Sequence, residues 1–154
     1  MNTTAKTTLS IDLLTILAIG NVSFILKNVI HEALGHGGAC VLVGGTPLVL
    51  SSAHFDCDYA SVSDAGRRLV AAAGTLVNFI AAYFFWLAFR RAQNASPSLH
   101  YFFWFCMSGN FFVAAGYPLF SGLIGVGDWI NVVESPANRD RFPAVCLWGM
   151  VRPA

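Results

Sequence analysis

Apolar and polar positions follow one another in long blocks along this chain. Residues 11–30 form a first apolar run of about 20 residues, the length that crosses a bilayer as a helix. Asp12, Asn21 and Lys27 interrupt it, and Lys27 can snorkel toward a headgroup if it lies near an end. Helical character continues to about Val43, where Gly44-Gly45-Thr46-Pro47 stops it. As one helix, 11–43 would be roughly 50 Å long. A break or bend near Gly20-Asn21, or a steep tilt, is therefore predicted. Residues 69–89 are the clearest span, without a charge and bracketed by Arg67-Arg68 and Arg90-Arg91. Basic pairs at both ends leave the orientation open. Residues 99–124 form a third apolar stretch, rich in Phe, with Gly122 near its end and Gly125 and Gly127 between it and Asp128. Glycine-rich backbone at membrane depth needs protein or a water-filled cavity around it.

The intervening blocks read differently. Residues 48–65 hold serines, His54, Asp56 and Asp58, and predict a loop or short hairpin at the membrane surface. Alternation would place His54, Asp56 and Asp58 on one face, as a solvated loop or an accessory contact. Residues 92–98 are a short polar loop, and the chain turns polar after Asn131. The apolar piece near the end, 142–151, is too short to span. The whole reads as a single all-α integral membrane domain. It has three to four transmembrane helices, with spans at 11–43, 69–89 and 99–124, and a short C-terminal segment at 128–151.

Composition agrees with this pattern. Of 154 residues, 56% are hydrophobic and 11% charged, against about 25% charged in soluble domains. The net charge of +1 offers nothing to nucleic acid, and the lipid bilayer is the expected partner. The first ten residues run straight into the apolar block, which reads as an uncleaved membrane helix. The four cysteines form no C-x-x-C pair, so a disulfide framework is not expected, and Cys40 and Cys106 read as small buried hydrophobes. Gly66, Gly74, Gly109 and Gly116 read as sites of close helix packing.

The candidate chemistry lies in His31-Glu32-Ala33-Leu34-Gly35-His36, two imidazoles and a carboxylate beside the first apolar run. Neutral imidazoles are good zinc ligands, and a neighbouring glutamate can take a proton from a water polarised by the ion. The familiar protease spacing is H-E-x-x-H, with the histidines four residues apart. Here they are five apart. In a regular helix five positions turn about 500°, which splays the rings by roughly 140°. One π-type turn removes that splay, and Gly35 makes the distortion cheap. The spacing resembles the zinc motif of the dipeptidyl-peptidase III family over these six residues. A catalytic zinc needs a third protein ligand, and Asp128, where an apolar span ends, is the best candidate. The alternatives stay open: buried polar groups bonded between helices, or an Asp128 that caps a helix.

The order of features resembles the site-2 protease family of intramembrane zinc metalloproteases. His31-Glu32 and His36 match its first motif. Gly74-Thr75-Leu76-Val77-Asn78 matches its second, with threonine in place of proline, and Gly127-Asp128 matches its third in reversed order. Asn110 and Pro118 stand where that family has an asparagine and a proline. The resemblance covers roughly residues 22–131. It implies a zinc-dependent intramembrane endopeptidase cutting a peptide bond in or near a membrane segment. In it His31, His36 and Asp128 would bind Zn2+, Glu32 would be the base, and Asn78 and Asn110 would be accessory. An extended edge within 48–59 could pair with an unwound peptide substrate. The competing expectations are a catalytically inactive membrane protein of the same fold, binding a metal structurally or in transport, and a small helical subunit with no metal.

Overall fold

The computed structural model describes residues 11–124 and 127–133. The predicted N-terminal tail, Cys146 and the part of the C-terminal segment beyond residue 133 lie outside them. The chain is mostly helical, with one small strand pair. Helix α1 (Leu13–Val29) passes without interruption into a π segment (Ile30–Gly37) and then α2 (Gly38–Leu42). A hairpin of β1 (Thr46–Leu50) and β2 (Phe55–Asp58) follows, then α3 (Asp64–Arg91), α4 (Pro97–Ile124) and the short α5 (Asp128–Val133). Among the described residues two helices are long and apolar enough to cross a membrane, Leu13–Leu42 taken as one, and α3; α4, on the third expected span, is not one of them.

Local chemistry sets the ends. The Asp12 carboxylate caps α1, accepting from the Thr15 amide at 2.9 Å and the Thr15 hydroxyl at 2.7 Å. These bonds, the hydroxyl's foremost, hold its carboxyl below the ordinary value. Ser63 caps α3 by accepting from the Gly66 amide. At the end of α2, Gly44 takes φ +81°. The Gly44 amide donates to the Val41 carbonyl and that of Gly45 to the Cys40 carbonyl, the paired bonds by which a left-handed glycine closes a helix.

Four expectations need correction. The first helix is regular through Gly20-Asn21, and its one departure from α geometry is the π segment. Thr46 and Pro47 belong to β1, so the two glycines alone end the helix. Lys27 stands fourteen residues from Leu13 and fifteen from Leu42, roughly 20 Å from either end, too far to snorkel past them. Cys40 and Cys57 form a disulfide across a separation of 17 residues. The hairpin register carries Cys57 back over α2, which no spacing rule foretells.

Polar side chains share the interior with small apolar ones. The largest fully buried side chains are Val70, Asn78, Asn110, Cys40 and Cys106, and Ser23, His31, His36, Thr75 and Ser121 are buried too. Large apolar residues lie outside: Leu14 is 77% exposed and Phe112 73%. The apolar cluster under the hairpin is built of small residues, Ala39, Cys40, Cys57, Val70 and Ala73, with Val43, Phe55 and Tyr59 packed against it. Small residues let backbones approach. A Cβ on Gly35 would stand 2.5 Å from the Gly74 Cα, so the π segment and α3 cross backbone to backbone there.

Candidate metal centre

The π segment supplies what the five-residue spacing requires. With i→i+5 bonding the two histidines fall on one side, and their ring centroids are 4.8 Å apart at an interplanar angle of 83°. Both are buried, each 7% exposed. Asp128 opens α5, delivered by Gly127 at φ +91°, and a Cβ at Gly127 would press 3.0 Å from the Tyr117 hydroxyl oxygen. The Trp129 indole donates to the Thr75 hydroxyl at 2.9 Å and pins α5 to α3.

Three potential ligand atoms then meet. His31 Nε2 and His36 Nε2 are 3.2 Å apart, and each is 3.2 Å from Asp128 Oδ2. His31, His36 and Asp128 form a group that could hold a metal ion. An equilateral triangle of this size is one face of a tetrahedron whose ligands lie at zinc-like bond lengths, where the edges are about 3.3 Å.

The far sides of the rings fix their protons. The Val70 carbonyl can only accept, so His36 Nδ1, 2.7 Å away, is the donor. Two side-chain amides in series fix the His31 proton. The Cys106 carbonyl accepts from Asn110 Nδ2 at 2.8 Å, which turns Asn110 Oδ1 toward Asn78. Asn78 Nδ2 donates to it at 2.6 Å, leaving Asn78 Oδ1 to accept from His31 Nδ1. Asn78 and Asn110 are 0% and 1% exposed, so water offers no alternative partner. In their neutral forms both histidines therefore point unprotonated Nε2 lone pairs at one another and at a carboxylate. Three acceptors in contact repel unless a cation lies among them, a proton or a metal. Burial opposes the charge of Asp128, yet when the two facing imidazoles carry protons their donated bonds and positive charge outweigh it and hold the carboxyl well below its usual range.

The remaining predicted residues are placed as follows. Glu32 is half-buried, adjacent to His31 on the π segment. His54, Asp56 and Asp58 are exposed on the hairpin. The Asp56 carboxylate accepts from the Cys57 amide and that of Asp58 from the Ala60 amide, so neither belongs to the centre. Gly74 is more than a packing residue: a Cβ there would lie 2.6 Å from Nε2 of both histidines. Gly109 and Gly116 are not close-packed, with a single side-chain atom at 3.8 Å from a Cβ on the first and nothing within 4 Å of one on the second.

Sequence reasoning missed several contributors. The Val70 carbonyl belongs to the backbone and has no signature. Tyr117, with its ring 5.8 Å from that of His31, and Phe55, stacked on His36 at 6.4 Å, wall the centre from two sides. The Thr75–Trp129 bond could have been sought, because Trp129 adjoins the candidate ligand and a buried indole needs an acceptor. Comparison with protein-family models, with curated protein sequences and with solved structures finds no match to this chain.

Proposed function

We propose that this chain is a membrane-embedded zinc metallopeptidase of site-2 protease type, cleaving a peptide bond in or beside a membrane segment. The observation that carries the reading is the triangle of His31 Nε2, His36 Nε2 and Asp128 Oδ2, with both imidazoles held by their other nitrogens. Two histidines and a carboxylate suit a catalytic zinc, with one position left over. The bonds behind the rings are of the kind that orients metal-bound histidines. The membrane setting is supported by the outward large apolar side chains and the inward polar ones.

Each residue then has a task. His31, His36 and Asp128 hold the ion. When bound, zinc supplies Lewis acidity toward a peptide carbonyl and acidifies water at neutral pH. The Glu32 carboxylate takes the proton of the water that attacks the carbonyl carbon and passes it to the departing amide nitrogen. Asn78 holds the His31 ring in the tautomer that bares Nε2, and Asn110 holds Asn78. The Val70 carbonyl does the same for His36.

Two measurements test this. Purified protein should carry about one zinc per chain, lost on His31→Ala. Cleavage of a membrane-segment peptide should fall at least 100-fold in Glu32→Gln while zinc is retained. Equal zinc in wild type and His31→Ala would sink the metal assignment. Retained zinc with no difference in cleavage would leave a structural or transport metal as the better reading.

A further inference from the structure

A cavity of about 340 Å³ lies between α1 and α4. Its wall is apolar, with Phe24 and Phe112 among its residues, and it contains one charged side chain, Lys27. Gly109 faces that side chain: a Cβ there would meet Lys27 Cδ at 3.8 Å, an ordinary contact. The ammonium rests over the Phe24 ring, 4.7 Å from its centroid, and among the described residues no carboxylate lies within ion-pair distance of it. If the Leu13–Leu42 helix spans a bilayer, Lys27 stands near its middle, away from headgroups at either end. A lone cation at such depth marks a ligand or substrate path. The cavity also borders the candidate metal centre, because Tyr117 lines the one and packs on His31 of the other.

We propose that this cavity receives an apolar peptide segment carrying one acidic side chain, with Lys27 as its counter-ion. The inference rests on the peptidase reading and names its substrate class. An apolar wall suits the segment, and an ammonium without a carboxylate partner among the described residues favours a carboxylate over its neutral amide. Tyr117 is the shared wall through which the held segment adjoins the ion's ligands. Lys27 is thus a specificity residue and takes no part in bond cleavage.

The test measures binding apart from hydrolysis. Zinc-loaded Glu32→Gln protein, full length and in zwitterionic detergent, is titrated with leucine–alanine peptides bearing a single glutamate at successive positions, and with their glutamine counterparts. At one or two adjacent positions the glutamate peptide should bind about 10-fold more tightly. Adding Lys27→Met should erase the difference, and Lys27→Arg should restore it. No difference at any position, or one that survives Lys27→Met, overturns the proposal. Displacement of the peptide by laurate, with the same dependence on Lys27, overturns it in favour of a fatty acid. Cleavage by the unmutated protein is scored separately: a charge difference without cleavage refutes the peptidase reading alone, and cleavage without a charge difference refutes the role of Lys27 alone.

Discussion

Two helix contacts in this molecule use glycine to opposite ends. Where the π segment crosses α3, Gly35 and Gly74 bring backbone against backbone, with no space for a methyl group on either. Where α1 faces α4, Gly109 and Gly116 leave room, and a cavity of about 340 Å³ opens beside them. The same residue in the same kind of apolar helix therefore closes one contact and opens another. Glycine in an apolar helix signals the absence of a side chain. The partner decides whether that absence is filled by main chain, as at the metal centre, or kept as a cavity.

Substitutions can break or sharpen this contrast. The largest effect is expected at Gly35. Its added methyl would meet the Gly74 main chain at 2.5 Å, and main chain has little freedom to yield. Gly35→Ala should cost about 3 kcal/mol or prevent folding, read as a fall in melting temperature in detergent. An unchanged melting temperature would mean the crossing is looser than described. On the proposed zinc reading, Gly74→Ala should fold better than Gly35→Ala but fail to bind zinc, because the methyl intrudes 2.6 Å from both Nε2 atoms. Metal analysis beside circular dichroism checks this, and full zinc occupancy would refute the tight contact. Asn78→Ala removes a partner of the His31 ring without crowding it. Zinc affinity should fall about 10–100-fold, measured by chelator competition, with Asn78→Asp recovering part of the loss. The smallest effect belongs to Gly116. A methyl there meets open space, and replacing a glycine inside a helix should raise stability by no more than about 1 kcal/mol. A marked loss of stability in Gly116→Ala would show that the open contact is not open.

Much of the arrangement was legible from one-dimensional signals, for particular reasons. Helices follow from long apolar runs, and α3 and α4 are helical over the predicted stretches with ends moved outward to Asp64 and Pro97, although among the described residues it is Leu13–Leu42 and α3 that are long and apolar enough to cross a membrane. The arginine pairs lie within or at the end of α3, since long basic side chains are good helix formers. The π segment was readable because a five-residue histidine spacing leaves a regular helix no other way to bring the rings together. Asp128 was readable as an acid at the edge of an apolar run, and the structure brings it to both histidines. Other features depend on the fold and carry no local mark. The Cys40–Cys57 bond follows from where a hairpin returns. The Val70 carbonyl is common to every residue type. The openness around Gly116 depends on how far α1 stands from α4.

The crosslink between Cys40 and Cys57 has a bearing on which way the chain is threaded. Such a bond endures where thiols are kept oxidised, outside the cytosol. In the membrane-embedded reading, the hairpin and the His31, His36 and Asp128 group beside it face the exterior or a lumen. The opposite rim, with the start of α1 and the turn at 92–96, then faces the cytosol. Paired arginines flank α3 on both rims and leave its polarity undecided, so a single sulfur–sulfur link orients the whole bundle.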